Sequence, residues 1–192
     1  MRFVATLILS LLVAIPTLAF AEDAEGSAAA KKAPSRATDF TLPSVAGDNV
    51  SLSDFLGEQV VVLSFWATWC PPCIKEMPKL AEMQKAFGDE LKVLWISVDD
   101  AKKASQVGST AKRFELPEDQ VLQDFERKVV SAYHKRGNPP YTVVIDKNKL
   151  KVLEKLGYTD GDEKKICVKV AGSLGKTEKD GKKFCGIEEE KP

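Results

Sequence analysis

Cys70 and Cys73 are separated by two prolines, and this Cys-Pro-Pro-Cys run carries the strongest chemical signal in the chain. Thiols at that spacing can close and reopen a disulfide, or they can supply half of a tetrahedral zinc site. The zinc reading needs a second ligand pair. The remaining cysteines, Cys167 and Cys185, are too widely spaced for a compact pair, and His134 is the only histidine. Redox exchange is the favoured chemistry, and no metal ligand set is assigned. The expected cycle has three steps: attack by Cys70 on a disulfide, a transient mixed disulfide, and resolution by Cys73. No cofactor is required.

The flanking sequence sets the position of the pair. Val60 to Trp66 is apolar except for Ser64, as in a strand buried on both faces. Pro71 to Phe87 reads as a helix with Ile74, Met77, Leu80, Ala81 and Phe87 on its apolar side, ended by Gly88. Cys70 then falls at the helix N-terminus, where free N–H groups and the helix dipole favour a thiolate. Its pKa is expected within roughly 3.5–7.5. Pro71 suits the first helical position, where its missing N–H costs nothing. Cys73 lies about one turn further along, on the inner side. Trp66 reads as core, whereas Trp69, directly before the nucleophile, should shape the surface facing a substrate.

Further elements follow in order. Asp39–Leu42 and Val50–Leu52 flank a Gly47-containing turn and predict a hairpin, with Ser53 as the cap of a helical turn ending at Gly57. Leu91–Val98 is a buried strand and Ala101–Phe114 a helix. Val121–Leu122 is a short strand and Phe125–Tyr133 another helix. Tyr141–Ile145 and Lys151–Leu156 are strands joined by a turn at Asp146–Lys149, and Asp162–Leu174 is helical. Strands alternating with helices and ending in a hairpin and a helix predict an α/β fold, a mixed sheet between helices. The Lys- and Glu-rich tail after Gly175 has little to pack except Phe184 and Cys185.

With 192 residues the chain can form one domain with appendages. Basic and acidic residues balance at 28 each, without a basic block, which argues against a nucleic-acid partner. Arg2, the apolar run Phe3–Phe20, Pro16 and the Ala19-Phe20-Ala21 triplet predict a signal peptide over 1–21, cleaved after Ala21. The competing reading is an uncleaved membrane tether. Residues 22–37 read as a flexible linker, 38–175 as the folded domain and 176–192 as a tail. Export to a periplasmic or other extracytoplasmic compartment permits disulfides. Four cysteines allow three pairings. The natural division is one active pair, Cys70 with Cys73, and one structural pair, Cys167 with Cys185.

The run Phe65-Trp66-Ala67-Thr68-Trp69-Cys70-Pro71-Pro72-Cys73, with Glu76 and Pro78, resembles the thioredoxin superfamily. More narrowly it is similar to the exported TlpA/ResA-like branch, from about Asp39 to Leu174. The segment DFTLPSVAGDNVSLSDFLG matches the N-terminal β-hairpin extension of that branch. The resemblance implies a thioredoxin fold, a central mixed β-sheet flanked by helices. It also implies an exported protein-disulfide oxidoreductase that reduces cysteine-containing proteins through mixed disulfides, in cytochrome c maturation or copper-site assembly. A membrane thiol-transfer protein of the DsbD/CcdA type would recharge it. Pro140 matches the family's cis-proline, which lies with Trp69, Pro71 and Pro72 on the substrate-facing side. Pro139 departs from the pattern and leaves open which of the two prolines is cis. Glu76 matches an acidic residue found near the active site in ResA-like proteins. A partly buried carboxylate there would have a raised pKa and could pass protons to and from Cys73, the alternative being an exposed helix residue. The thioredoxin position for such an acid is Ser64 here. Pro78 corresponds to the family's helix kink. Cys167 and Cys185 have no counterpart in the family core, and their bridge would be worth about 3 kcal/mol. The alternative on the same fold is a Sco-like copper chaperone using His134. A peroxidase would need a peroxiredoxin-type nucleophile motif, which is missing.

Overall fold

The structure, a computed structural model, describes residues 34–186. The expected signal peptide, its cleavage site and most of the expected linker lie outside that range. Strands β1 (Ser35–Arg36), β2 (Thr41–Pro43) and β3 (Asn49–Ser51) precede β4 (Val60–Trp66), all seven residues of which are buried. Helix α1 (Pro71–Phe87) leads to β5 (Leu91–Ser97), α2 (Ala104–Arg113), β6 (Val121–Gln123) and α3 (Lys128–Tyr133). The chain closes with β7 (Tyr141–Ile145), β8 (Leu150–Leu156), α4 (Asp162–Ser173) and α5 (Glu178–Phe184).

The main sheet has the order β1-β8-β7-β4-β5-β6. Strands β4, β5 and β6 are parallel, while β7, β8 and β1 join antiparallel. Register assigns the two faces, because residues directly opposite each other point the same way. Ser64 pairs with Thr142, and Thr142 with Lys155, so these three form one row across the sheet. Helices α1 and α4 pack on each other; α1 lies against β5 and α4 against β7 and β8. The neighbouring row, Phe65, Tyr141 and Leu156, points the other way. There Phe65 stacks on Tyr141 at 5.8 Å and packs at a tilt against Tyr133 of α3 at 5.7 Å. The result is a mixed sheet between helices, the thioredoxin architecture, with the β2–β3 hairpin beside β6. The Val45 N–H donates to the Val121 carbonyl, and Ser44 bridges to Leu122.

Several boundaries differ from the sequence reading. Ser35 and Arg36 are paired with β8 rather than part of a tether. The short helical turn Leu52–Asp54 is capped at Ser51, whose N–H bonds the Asp54 carboxylate; the Ser53 N–H is taken by Asp39. The helix expected over 101–114 begins as a 3-10 turn, Ala101–Lys103, because Asp100 accepts the Lys102 N–H and caps it. The helix expected from Phe125 starts only at Lys128. Arg127 has φ +57°, outside the helical region, and the Asp124 carboxylate binds the Val130 N–H. The tail carries α5, held to α4 by the bridge and by packing. A Cβ on Gly181 would lie 3.3 Å from the Ala171 Cβ, and the Phe184 ring is 4.6 Å from Phe87. Among the described residues, no helix is long and apolar enough to cross a membrane.

Candidate active site

Cys70 is reached by a tight turn. The chain leaves β4 at Trp66, turns over Thr68 and Trp69, and returns the Cys70 N–H to the Ala67 carbonyl at 3.1 Å. Cys70 is the N-cap of α1, and its Sγ accepts the Cys73 N–H at 3.3 Å. Pro71 and Pro72 occupy the first helical positions, whose N–H groups have no partner inside a helix. The two sulfurs are bonded at 1.97 Å. Trp66 is fully buried while Trp69 is 55% exposed, so the two indoles flanking this turn serve opposite sides of the protein surface. Helix α1 continues through Pro78 to Gly88, which ends it with φ +55°.

Glu76 lies one turn beyond Cys73 and is only 1% exposed. It points at the polar row of the sheet, where the Thr142 hydroxyl donates to its Oε1 at 2.8 Å. Burial drives its pKa from 4.5 to about 7; Thr142 and the Lys155 ammonium pull it down, while Asp162 and Glu163 push it up. Lys155 is itself held by Asp162 at 2.7 Å, and Asp162 also meets Lys165 at 3.2 Å. A carboxyl titrating near neutrality can accept a proton from a neighbouring thiol and later return it. The sheet position held by an acid in thioredoxin is Ser64, two residues across the same row from Lys155. The helix therefore supplies a carboxyl to the face from which the strand lacks one.

The Pro139–Pro140 bond is cis, so Pro140 is the cis residue. Its carbonyl accepts the Gly157 N–H at 2.8 Å, tying the start of β7 to the β8–α4 loop. That loop faces Pro71 and Pro72. Pro71, Pro72, Lys75, Tyr158, Thr159 and Asp160 line an open groove of about 280 Å³. Tyr158 is fixed by donating its hydroxyl to Glu163 at 2.8 Å. Thr142, Lys155, Asp162 and Tyr158 were not singled out by sequence, since each meets the site only through strand pairing or a loop return.

The other sequence candidates lie in different settings. Cys167 of α4 is bonded to Cys185 at 2.02 Å, beside an open cavity of about 220 Å³ that also touches Met83 and Phe184. The His134 ring packs at 4.9 Å from Tyr141. Among the described residues, no group of three or more His, Cys, Asp or Glu side chains is arranged to hold a metal ion.

The AhpC/TSA family model matches residues 33–153. The thioredoxin-like protein YneN of Bacillus subtilis is 34% identical over 112 residues, 58% of this chain and 64% of YneN. The chain thus spans a little under two thirds of that relative. The thiol-disulfide oxidoreductase ResA of Bacillus cereus is 31% identical over 138 residues, covering 71% of this chain and 74% of ResA. Among solved structures, a putative thiol:disulfide interchange protein DsbE from Chlorobium tepidum aligns with a TM-score of 0.65 at 26% identity. That alignment covers 74% of this chain and 97% of the other.

Proposed function

Given that the chain belongs to the AhpC/TSA family of thioredoxin-like proteins, we propose that it is an exported thiol–disulfide oxidoreductase that reduces protein disulfides through Cys70 and Cys73. The observation that carries this reading is a disulfide at the N-terminus of α1 with a buried, protonatable Glu76 one turn behind it. The Cys70 thiolate attacks one sulfur of a substrate disulfide, forming a mixed disulfide and expelling one substrate thiolate. Cys73 gives its proton to Glu76 and attacks the Cys70 sulfur, expelling the second substrate thiolate and leaving Cys70–Cys73 oxidised. Two electrons pass from the protein to the substrate. Trp69, Pro71, Pro72 and Pro140 are the surface against which the substrate chain lies.

The N-terminal 21 residues act as an export signal, supported by the apolar run and the Ala19-x-Ala21 triplet. Residues 38–175 form the catalytic domain, and Cys167–Cys185 fastens the tail to it. The substrates are haem-binding cysteines of apocytochrome c or a copper-site assembly protein, and a DsbD/CcdA-type membrane protein returns the electrons. Relatives named ResA and DsbE support the oxidoreductase class. The test is the equilibrium potential of the Cys70–Cys73 pair against glutathione. A value well below the glutathione poise is expected, and one near about −120 mV, as in strong oxidants, would overturn the reductase assignment. Cys73→Ser should accumulate mixed disulfides at Cys70, whose partners identify the substrates.

A further inference from the structure

Two adjacent aspartates follow β5 and do different work. Asp100 turns outward and caps the Lys102 N–H. Asp99 turns inward and is 2% exposed. Its Oδ2 accepts the Thr68 N–H at 2.8 Å and the Ser97 hydroxyl at 3.0 Å, while its Oδ1 accepts the Thr68 hydroxyl at 2.9 Å. Among the described residues no cation pairs with it, so those hydrogen bonds alone compensate for burying the carboxylate.

Thr68 is therefore gripped at two atoms by one rigid group. It is also a central residue of the turn that closes from the Cys70 N–H to the Ala67 carbonyl. The last tie between the two strands, Val98 N–H to the Trp66 carbonyl at 2.9 Å, lies just before both partners. Beyond that tie, the Asp99–Thr68 contact connects β5 to the turn. The two residues that follow Thr68 are Trp69, which is exposed, and Cys70, which is buried.

Building on the proposed exchange reaction, we infer that Asp99 is a positioning residue: by clamping Thr68 it fixes the Ala67–Cys70 turn that presents Trp69 and the Cys70 sulfur to a protein disulfide. Thiol–disulfide exchange needs the attacking sulfur held close to its target and in line with the bond it breaks. A displacement of about 1 Å can cost a factor of about 10². Cys70 is only 4% exposed, so a folded substrate must fit the turn as presented, whereas a small disulfide makes few contacts beyond the sulfur itself. Loosening the clamp should consequently penalise protein substrates more than small ones.

The test compares Asp99→Asn, Thr68→Val and Thr68→Ser in the purified full chain. Turnover of insulin with dithiothreitol as reductant is set against the rate at which the reduced protein attacks 4,4′-dithiodipyridine. For Asp99→Asn the insulin kcat/KM should fall at least about 10-fold further than the small-disulfide rate. Thr68→Val, which removes one of the two donors, should show a smaller gap in the same direction. Thr68→Ser, which keeps both donors, should restore the parental ratio. Equal losses toward both substrates in Asp99→Asn and Thr68→Val, or no loss in either, would overturn the assignment. Iodide quenching supplies a readout independent of activity, because Trp69 is exposed while Trp66 and Trp95 are fully buried. Asp99→Asn should shift the quenching constant of Trp69, the direct mark of a loosened turn; an unchanged constant counts against the clamp. If the parent chain turns over no insulin, the exchange reading fails, and the quenching result still decides whether Asp99 holds the turn.

Discussion

The two disulfides are made of the same bond in different surroundings. Cys70–Cys73 spans three residues, so it removes little freedom from the unfolded chain. Around it stand a helix N-terminus, a buried carboxyl near neutral pKa, a cis-proline and an open groove. Cys167–Cys185 spans 18 residues and joins two helices on the far part of α1, beside Met83 and Phe87. Loop closure and packing are what it offers. Reactivity, then, resides in the surroundings, and a cysteine pair is assigned a role by its neighbours.

The sharpest way to break this contrast is to remove each pair in turn. Cys70→Ser should abolish insulin reduction altogether, by more than about 10³-fold in turnover, since no other thiolate stands at a helix N-terminus to replace it. The double change Cys167→Ser with Cys185→Ser should leave turnover within about two-fold and cost about 3 kcal/mol of stability. Urea denaturation followed by circular dichroism measures that cost. If turnover falls as far as in Cys70→Ser, the second bridge is part of the reaction and the contrast collapses.

Glu76→Gln acts on the Cys70–Cys73 pair alone. It should slow resolution of the mixed disulfide by about 10² at pH 7 and remove the step near neutrality from the pH–rate profile, as single-turnover kinetics would show. A smaller effect concerns stability. The Glu76 pKa is raised in the folded state, so the folded chain holds this proton where the unfolded chain has lost it. Stability from this group is complete below the unfolded value of 4.5 and is lost as pH rises through about 7. Between about pH 5 and pH 7 the parent should lose about 2 kcal/mol relative to Glu76→Gln, read from paired urea midpoints. A parallel pH dependence in both proteins would show that Glu76 is not buried in its neutral form.

Much of the frame was legible in the sequence because it is local. The Val60–Trp66 strand, the Pro71–Phe87 helix and the Cys-Pro-Pro-Cys junction are continuous stretches with strong periodicity and explicit end signals. The β2–β3 hairpin was marked by its Gly47 turn. What escaped the sequence is long-range. Thr142 and Lys155 meet Glu76 only because strand register places them in one row, and register cannot be read from either strand alone. Asp99 reaches Thr68 across 31 positions. The tail helix was hidden because seven Lys-rich residues carry no apolar stripe; α5 is held by Gly181 on Ala171, Phe184 on Phe87 and the bridge.

The N-terminal segment also protects both rims of the sheet. Ser35 and Arg36 cover the start of β8, and Ser44 and Val45 cover β6 at the opposite rim. The part of β8 left open carries Glu154 and Lys155, charges that discourage another strand from aligning there. Another extended chain is thereby discouraged from adding to the sheet at either rim through backbone pairing.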